Sequence, residues 1–338
     1  MKTMSKILLT VAILIGLTSL SSNAQKYLAG VKMNDQWGFI DVNGKWAIEP
    51  QFEEVQIFSE GLSGVKSNGN WGYIDVNGKW VINPIYKRAE DFSDGLARVI
   101  AKQSGDDKWI YLKKDGTQAF PAQFQNCQDF HEGLAGARTG SLWGYIDKTG
   151  VFVIPDKFEH AEMFIEGTAR VKLDNDYGFI NSKGDWVLKT NFENIRDMRE
   201  GIAPAKGKDG WGYTDLKGNV IVPTVNEHAQ PFREGLGRVE TKGRFGYYDS
   251  KGSCVVKPEY DNARDFSEGM AAVKKGKKWG YIDKKGTLVI QYQYETAGDF
   301  SGGLAPVKAN DKWGFIDKTG KTIIPLQYKE ALKFTKIE

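Results

Sequence analysis

After residue 27 the chain alternates apolar and polar positions in short runs, each closed by a glycine or a cluster of turn residues. One cycle reads Leu62-Ser63-Gly64-Val65, a polar turn, then Trp71-Gly72-Tyr73-Ile74-Asp75 and a second turn closed by Gly78. A third run, Trp80-Val81-Ile82, stops at Pro84, and a loop carrying Tyr86, Ala89, Phe92 and Gly95 ends the cycle. Alternation with period two, punctuated every eight to ten positions, predicts β-strands. The connections are too short for crossover helices, so neighbouring strands are expected to be antiparallel.

The cycle repeats. An aromatic-glycine pair recurs at Trp37, Trp71, Trp143, Tyr177, Trp211, Phe245, Trp279 and Trp313, with Trp109-Ile110 filling the single gap. The step is 34 residues except between Trp71 and Trp109, where it is 38. Phe58, Phe92, Phe130, Phe164, Met198, Phe232, Phe266, Phe300 and Phe334 keep the same step. Nine units follow: 28–61, 62–95, 96–133, 134–167, 168–201, 202–235, 236–269, 270–303 and 304–338. Gly78 and its counterparts fit the left-handed position of a hairpin turn, and Asp75, three residues earlier, is placed to accept from the turn's amides. The missing side chain at Gly72 is expected to make room for a bulky neighbour. A three-stranded meander cannot bury both of its ends, so the aromatic columns are expected to glue unit to unit.

The repeated W-G-[YF]-I-D-x-x-G-K, followed by V-I-x-P-x-[YF] and D-F-S-E-G-L-A-x-V-K, resembles the bacterial WG-repeat family over the whole chain after the leader. Departures are Ile110 and Lys113 for Gly and Asp, Lys189 and Gln291 for Pro, and Asn226 for an aromatic. The resemblance implies an all-β repeat protein and transfers no catalytic residue. Nine units exceed the blades usual in a propeller, three strands fall short of its four, and the chain starts and stops on whole units. The expected fold is therefore an open β-solenoid or superhelical array of three-stranded antiparallel meanders, with a closed propeller-like toroid as the alternative.

Residues 1–24 differ in kind: Lys2 and Lys6 precede an apolar run from Ile7 to Leu20, and Ser22 and Ala24 are small. This is the order of a secretory signal peptide, with cleavage expected between Ala24 and Gln25. The apolar run is shorter than the roughly 20 residues a membrane-crossing helix needs. No integral membrane segment is expected after cleavage, and the mature chain is placed in the periplasm, on the cell envelope or in the medium.

Composition narrows the function. Basic and acidic residues nearly balance, 46 against 43, which argues against a nucleic-acid partner. A catalytic residue is a one-off and a scaffold residue recurs, so recurring columns can be subtracted. The acidic column Glu60, Asp94, Glu132, Glu166, Glu200, Glu234 and Glu268 recurs beside a glycine and reads as turn chemistry, in preference to a glycosidase pair. His131, His160 and His228 are too few and too spread for a metal site, and Asp174-Asn175-Asp176 lacks the rest of a calcium loop. Cys127 and Cys254 lie in different columns and are expected to be unpaired thiols. No cofactor, metal or catalytic residue is assigned. The candidate binding residues are Trp46, Trp80 and Trp186, which do not recur in every unit, and Gln103, Asp106 and Asp107 in the four-residue lengthening. Insertions in repeat arrays collect on one face, often the binding face. The expected function is an exported, non-enzymatic scaffold for a protein or glycan partner. The alternative is a carbohydrate-binding module with tryptophan platforms; an extracytoplasmic hydrolase ranks third.

Overall fold

The computed structural model describes residues 27–101, 108–121 and 124–337, and every regular element among them is a β-strand. The signal peptide and Gln103, Asp106 and Asp107 lie outside the described residues. One sheet shows the plan. Asn262–Ala263, Met270–Lys275, Lys278–Asp283 and Leu288–Tyr294 pair antiparallel in that order. Six sheets have this four-stranded form. The second and third repeats share a six-stranded sheet, because Trp80–Ala89 is long enough to pair Ile82 with Tyr73 at one end and Ala89 with Val99 at the other.

The ring is closed, which overturns the open solenoid. Glu330–Ala331 and Thr335–Lys336 at the end of the chain pair with Tyr27–Met33 at its start, with Val31 opposite Ala331 and Tyr27 opposite Lys336. Leu332 N–H donates to the Gly30 carbonyl at 2.8 Å, Lys32 pairs with Glu330 at 3.0 Å, and Lys329 pairs with Asp35. The count of three strands per unit was also one short. The residues around Ala89, Cys127 or Ala263, read from the sequence as a closing loop, form the first strand of the following sheet. The sheet of Tyr27–Met33 takes this strand, Glu330–Ala331, from the far end of the described residues. What looked like the mark of an open array is the device that closes the ring.

At most repeats the glycine of the aromatic-glycine pair answers to backbone; at Gly178 the expected bulky neighbour is present as well, the Trp186 ring lying 2.7 Å from where a Cβ would sit. Trp279 faces Tyr294 and Tyr281 faces Ile290, so the fourth strand carries extra residues in a bulge between them. That bulge lies against the glycine: a Cβ on Gly280 would sit 2.5 Å from the Ile290 carbonyl oxygen, and one on Gly72 2.5 Å from that of Ile82. Among the described residues the third repeat, where Ile110 replaces glycine, has no such strand beside it; Leu112 forms an isolated bridge with Gln118. The departure from the motif and the missing strand explain each other.

Each sheet is locked to the next by the aromatic two places beyond the tryptophan. Tyr281 is fully buried, its ring packs edge-on at 5.0 Å to Phe300, which follows the next sheet's first strand, and its hydroxyl donates to the Gly298 carbonyl at 2.9 Å. Tyr73, Tyr111, Tyr145, Tyr213 and Tyr247 make the same bond to Glu90, Gln128, Glu162, Gln230 and Arg264. Where Phe39 stands in place of tyrosine, Ser63 Oγ–H supplies the Gln56 carbonyl at 2.9 Å instead. A paired hydroxyl contributes about 1 kcal/mol net, and an orphaned buried carbonyl costs about 1–3 kcal/mol, so the substitution at Ser63 is a compensation.

Gly280→Ala is expected to lower stability by about 2–4 kcal/mol, because backbone cannot step aside for the new methyl as a side-chain tip can. Ile110→Gly should cost less, about 1 kcal/mol of lost strand propensity and packing. Urea denaturation of both variants checks the pair; equal costs would show that the bulge does not constrain the glycine.

Candidate functional site

The first strands of successive sheets ring the axis, joined by side chains that cross from repeat to repeat. Gln56 Nε2 donates to the Ala89 carbonyl at 2.7 Å, Gln128 Nε2 to Ala161 at 2.8 Å, and an Arg196 guanidinium N–H to Ala229 at 3.0 Å. Directly after the small residue of each first strand stand Gln56, Glu90, Gln128, Glu162, Arg196, Gln230, Arg264, Gly298 and Leu332. The next position holds Ile57, Asp91, Asp129, Met163, Asp197, Pro231, Asp265, Asp299 and Lys333. In the second strand, Arg98, Arg170 and Arg238 occupy a position filled elsewhere by Gly, Ala or Pro. These columns do not repeat, although the columns on either side of them do.

The arginines span the seams. Arg98 donates to Asp129 at 2.6 Å and to the Cys127 carbonyl at 2.6 Å. Arg238 donates to Asp265 at 2.9 Å and to the Ala263 carbonyl. Arg170 reaches Asp197 at 3.3 Å and Glu162 at 2.8 Å, and His160 also meets Glu162 at 2.8 Å. The His160 contact first, and Arg170 after it, hold the Glu162 carboxyl below its ordinary range. Guanidiniums also lie over the aromatic of the motif: Arg98 over Trp109 at 4.8 Å, Arg196 over Trp211 at 4.5 Å, Arg264 over Trp279 at 5.9 Å. Such stacking leaves the fork of donors free in the ring plane.

Two groups are crowded by like charge. Burial, with Asp129 and Glu90 adding to it, pushes the Asp91 carboxyl up to about 6. Burial, with Arg170 and Arg238 adding, lowers Arg196 from the ordinary guanidinium value.

The residues singled out in the sequence fall elsewhere. Trp46 packs edge-on to Tyr328 and Trp80 to Phe52, both at 6.0 Å, as inter-repeat packing on the fourth strand. Trp186 alone of the three stays open, 36 % exposed, with Lys189 over its ring. The segment with Gln103, Asp106 and Asp107 joins Leu96–Ala101 to Trp109–Lys113. Glu60 and Gly61 form a turn with both φ angles positive, at 51° and 84°, and the Glu60 carboxylate accepts from Gly95 N–H of the next repeat at 3.0 Å. Glu132, Glu200, Glu234 and Glu268 bridge in the same way, so this column is turn chemistry that also links repeats. Asp174 and Asn175 form a left-handed hairpin turn, and among the described residues no group of three or more His, Cys, Asp or Glu is placed to hold a metal. Both cysteines are free, Cys127 buried and Cys254 exposed. Among the described residues no helix is long and apolar enough to cross a membrane. The axial columns escaped the sequence reading because attention went to rare residue types; their signal was variation in charge between two invariant columns.

A closed ring of antiparallel sheets with a polar axis defines a β-propeller. The model of the WG containing repeat matches residues 37–71, 71–100, 111–143, 143–175, 177–210, 211–244, 245–279, 279–313 and 313–336, and the chain belongs to that family. A solved structure described as the crystal structure of the eukaryotic initiation factor is similar in fold, with a TM-score of 0.66 at 9% identity over 91% of this chain and 97% of that one. Fainter likenesses are the dihydro-heme d1 dehydrogenase NirN in complex with DHE (TM-score 0.49, 12% identity, 93% of this chain, 75% of that one) and Kluyveromyces lactis Hsv2p (0.42, 9%, 83% and 98%). No curated protein sequence matches the chain.

Asp91 supplies a test of the crowded axis. The folded state holds its proton more tightly than the unfolded chain, where an aspartate titrates near 3.9. Its contribution to stability is therefore fully present below about pH 4 and is lost as pH rises through about 6. Asp91→Asn should be more stable than the parent at pH 8, by on the order of 1 kcal/mol after solvent screening, and equal to it at pH 4. Urea midpoints at the two pH values check this, and equal midpoints at pH 8 would contradict it.

Proposed function

We propose that this chain is an exported, non-enzymatic binding scaffold that takes a protein partner at the axis of the propeller, outside the cytoplasm. One observation carries the reading: unlike the columns that build the sheets, the columns facing the axis change from repeat to repeat. Packing alone gives no reason for that variation, because the same first strand is built nine times around one set of buried residues. Side chains that differ in a conserved setting are the expected signature of recognition. Export rests on the charged, apolar and small-residue order of residues 1–24. The non-enzymatic reading rests on the family resemblance, which transfers no catalytic residue.

A glycan partner is the second reading, and one residue favours it. Trp186 presents an open ring, whereas Trp46 and Trp80 are engaged between repeats. An exposed indole is a stacking surface for a sugar face.

Capture from an envelope extract by the mature chain, cross-linked and compared across variants, separates the two. Loss of the captured protein in Arg196→Ala, with retention in Trp186→Ala, supports the axial reading. Loss only in Trp186→Ala, together with binding on a glycan array, replaces it with the second. N-terminal sequencing of the exported protein should begin at Gln25; a start at Met1 contradicts export by cleavage.

A further inference from the structure

The repeats supply an internal control for one position at the axis. Where the second strand carries arginine, its guanidinium reaches the aspartate that follows the next sheet's first strand, and in two of the three cases also the carbonyl of the small residue two places before it. Arg98 does this with Cys127 and Asp129, and Arg238 with Ala263 and Asp265. Two further repeats keep the aspartate, Asp91 and Asp299, but have Gly64 and Ala272 in place of the arginine. In both, the aspartate Oδ1 is buried with no hydrogen-bond partner.

The two cases differ in what fills the gap. At Gly64 the Gln56 side chain occupies the space a Cβ would take, and its amide donates to the Ala89 carbonyl. The residue in Gln56's position for the Asp299 seam is Arg264, which lies over Trp279 instead. No side chain among the described residues donates to the Ala297 carbonyl or pairs with Asp299 in a salt bridge. A cavity of about 310 Å³ opens beside Asp299, lined also by Arg238, Asn262, Ala263, Arg264, Asp265 and Trp279.

We infer that this cavity receives a guanidinium from outside, the arginine side chain of a protein partner, directed at the Asp299 carboxylate. The planar fork suits a carboxylate, and Arg98, Arg170 and Arg238 already place a guanidinium against the aspartate of this column; an ammonium lacks that geometry. Arg264 is the internal competitor, since it is the one unpaired cation lining the cavity. The inference rests on the axial reading of function but is tested with a small probe, so it can fail while envelope capture still depends on Arg196.

The test is calorimetric titration of the mature chain with acetyl-Gly-Arg-Gly-amide and with its citrulline counterpart, which keeps the shape and drops the charge. Saturable binding is expected for the arginine peptide and none for the citrulline one. Asp299→Asn should weaken binding about tenfold or more, the scale of a lost charge-assisted pair. Ala272→Arg should abolish it by rebuilding the internal bridge seen at Arg98 and Arg238. If Ala272→Arg does not fold, Asp299→Asn and the citrulline peptide still decide. Equal binding of the two peptides, unchanged binding in Asp299→Asn, or no saturable binding of the arginine peptide overturns the inference. Binding that emerges only in Arg264→Ala also overturns it, showing that the protein fills the site itself. Free arginine amide binding more tightly than the peptide would overturn the protein-partner assignment.

Discussion

The structure depends on a lock that runs in one direction, from each sheet to the one after it. A buried aromatic of the third strand meets the phenylalanine that follows the next sheet's first strand, and in six repeats its hydroxyl caps that strand. Ser59, Ser93 and Ser267 donate the same way, to the carbonyls of Phe92, Phe130 and Phe300, and the glutamates of the turns follow. A lock of this kind leaves one unmatched half at each end of an open array. The first sheet would lack the strand that covers Val31, and Ala331 and Phe334 at the end of the last repeat would have no sheet to join. Closure removes both defects at once, because Ala331 pairs with Val31 while Phe334, packed on Phe315, carries the lock across to the first sheet. The edge strands that a solenoid must protect do not arise at the seam.

The sheet and the axis answer to different demands. Away from the axis, the glycine beneath the bulge, the left-handed turns and the buried ring are fixed by backbone geometry, and a change at any of them is felt by the neighbouring repeat. Ile110 shows how far that coupling goes, since the glycine and the strand that needs it are missing together. At the axis the backbone is held from outside by the lock, and the side chains of the first strands are left free to vary. This division lets the chain change what it presents without changing how it folds.

Much of the fold was legible, and the reasons are local. Period two, turn glycines and the 34-residue step are properties of neighbouring residues, and they identified the strands and the seam. The first strand was missed because in most sheets it contains only two residues, such as Asn262–Ala263, too short for any alternation to register. Missing it displaced the boundary of every sheet by one strand and turned a closed ring into an open one. Gly72 was recognised as a place where something approaches closely, but pairing rules could not show that the neighbour is backbone, since a bulge is a matter of register. The tryptophans were weighed by how rarely they recur. Rarity does not reveal that Trp46 and Trp80 pack across a seam while Trp186, on a shortened strand without the usual proline, does not.

The axial charges are where the repeat stops obeying stability. Paired seams such as Arg98 with Asp129 return what their burial costs through hydrogen bonds and Coulomb attraction. Asp91 and Arg196 do not, because each is buried beside charges of its own sign and is pushed toward its neutral form. A scaffold built only to stand would replace either residue with the glycine, proline or glutamine that neighbouring repeats use at the same positions, at no loss to the lock. Both crowded groups survive in a ring whose other positions are set by packing, and unfavourable electrostatics of that kind concentrate where a protein meets something else. Closure sharpens the point. In an open array every repeat beyond the ends has equivalent surroundings, but around a common axis each residue faces all the others, so a single change of charge alters one mouth as a whole.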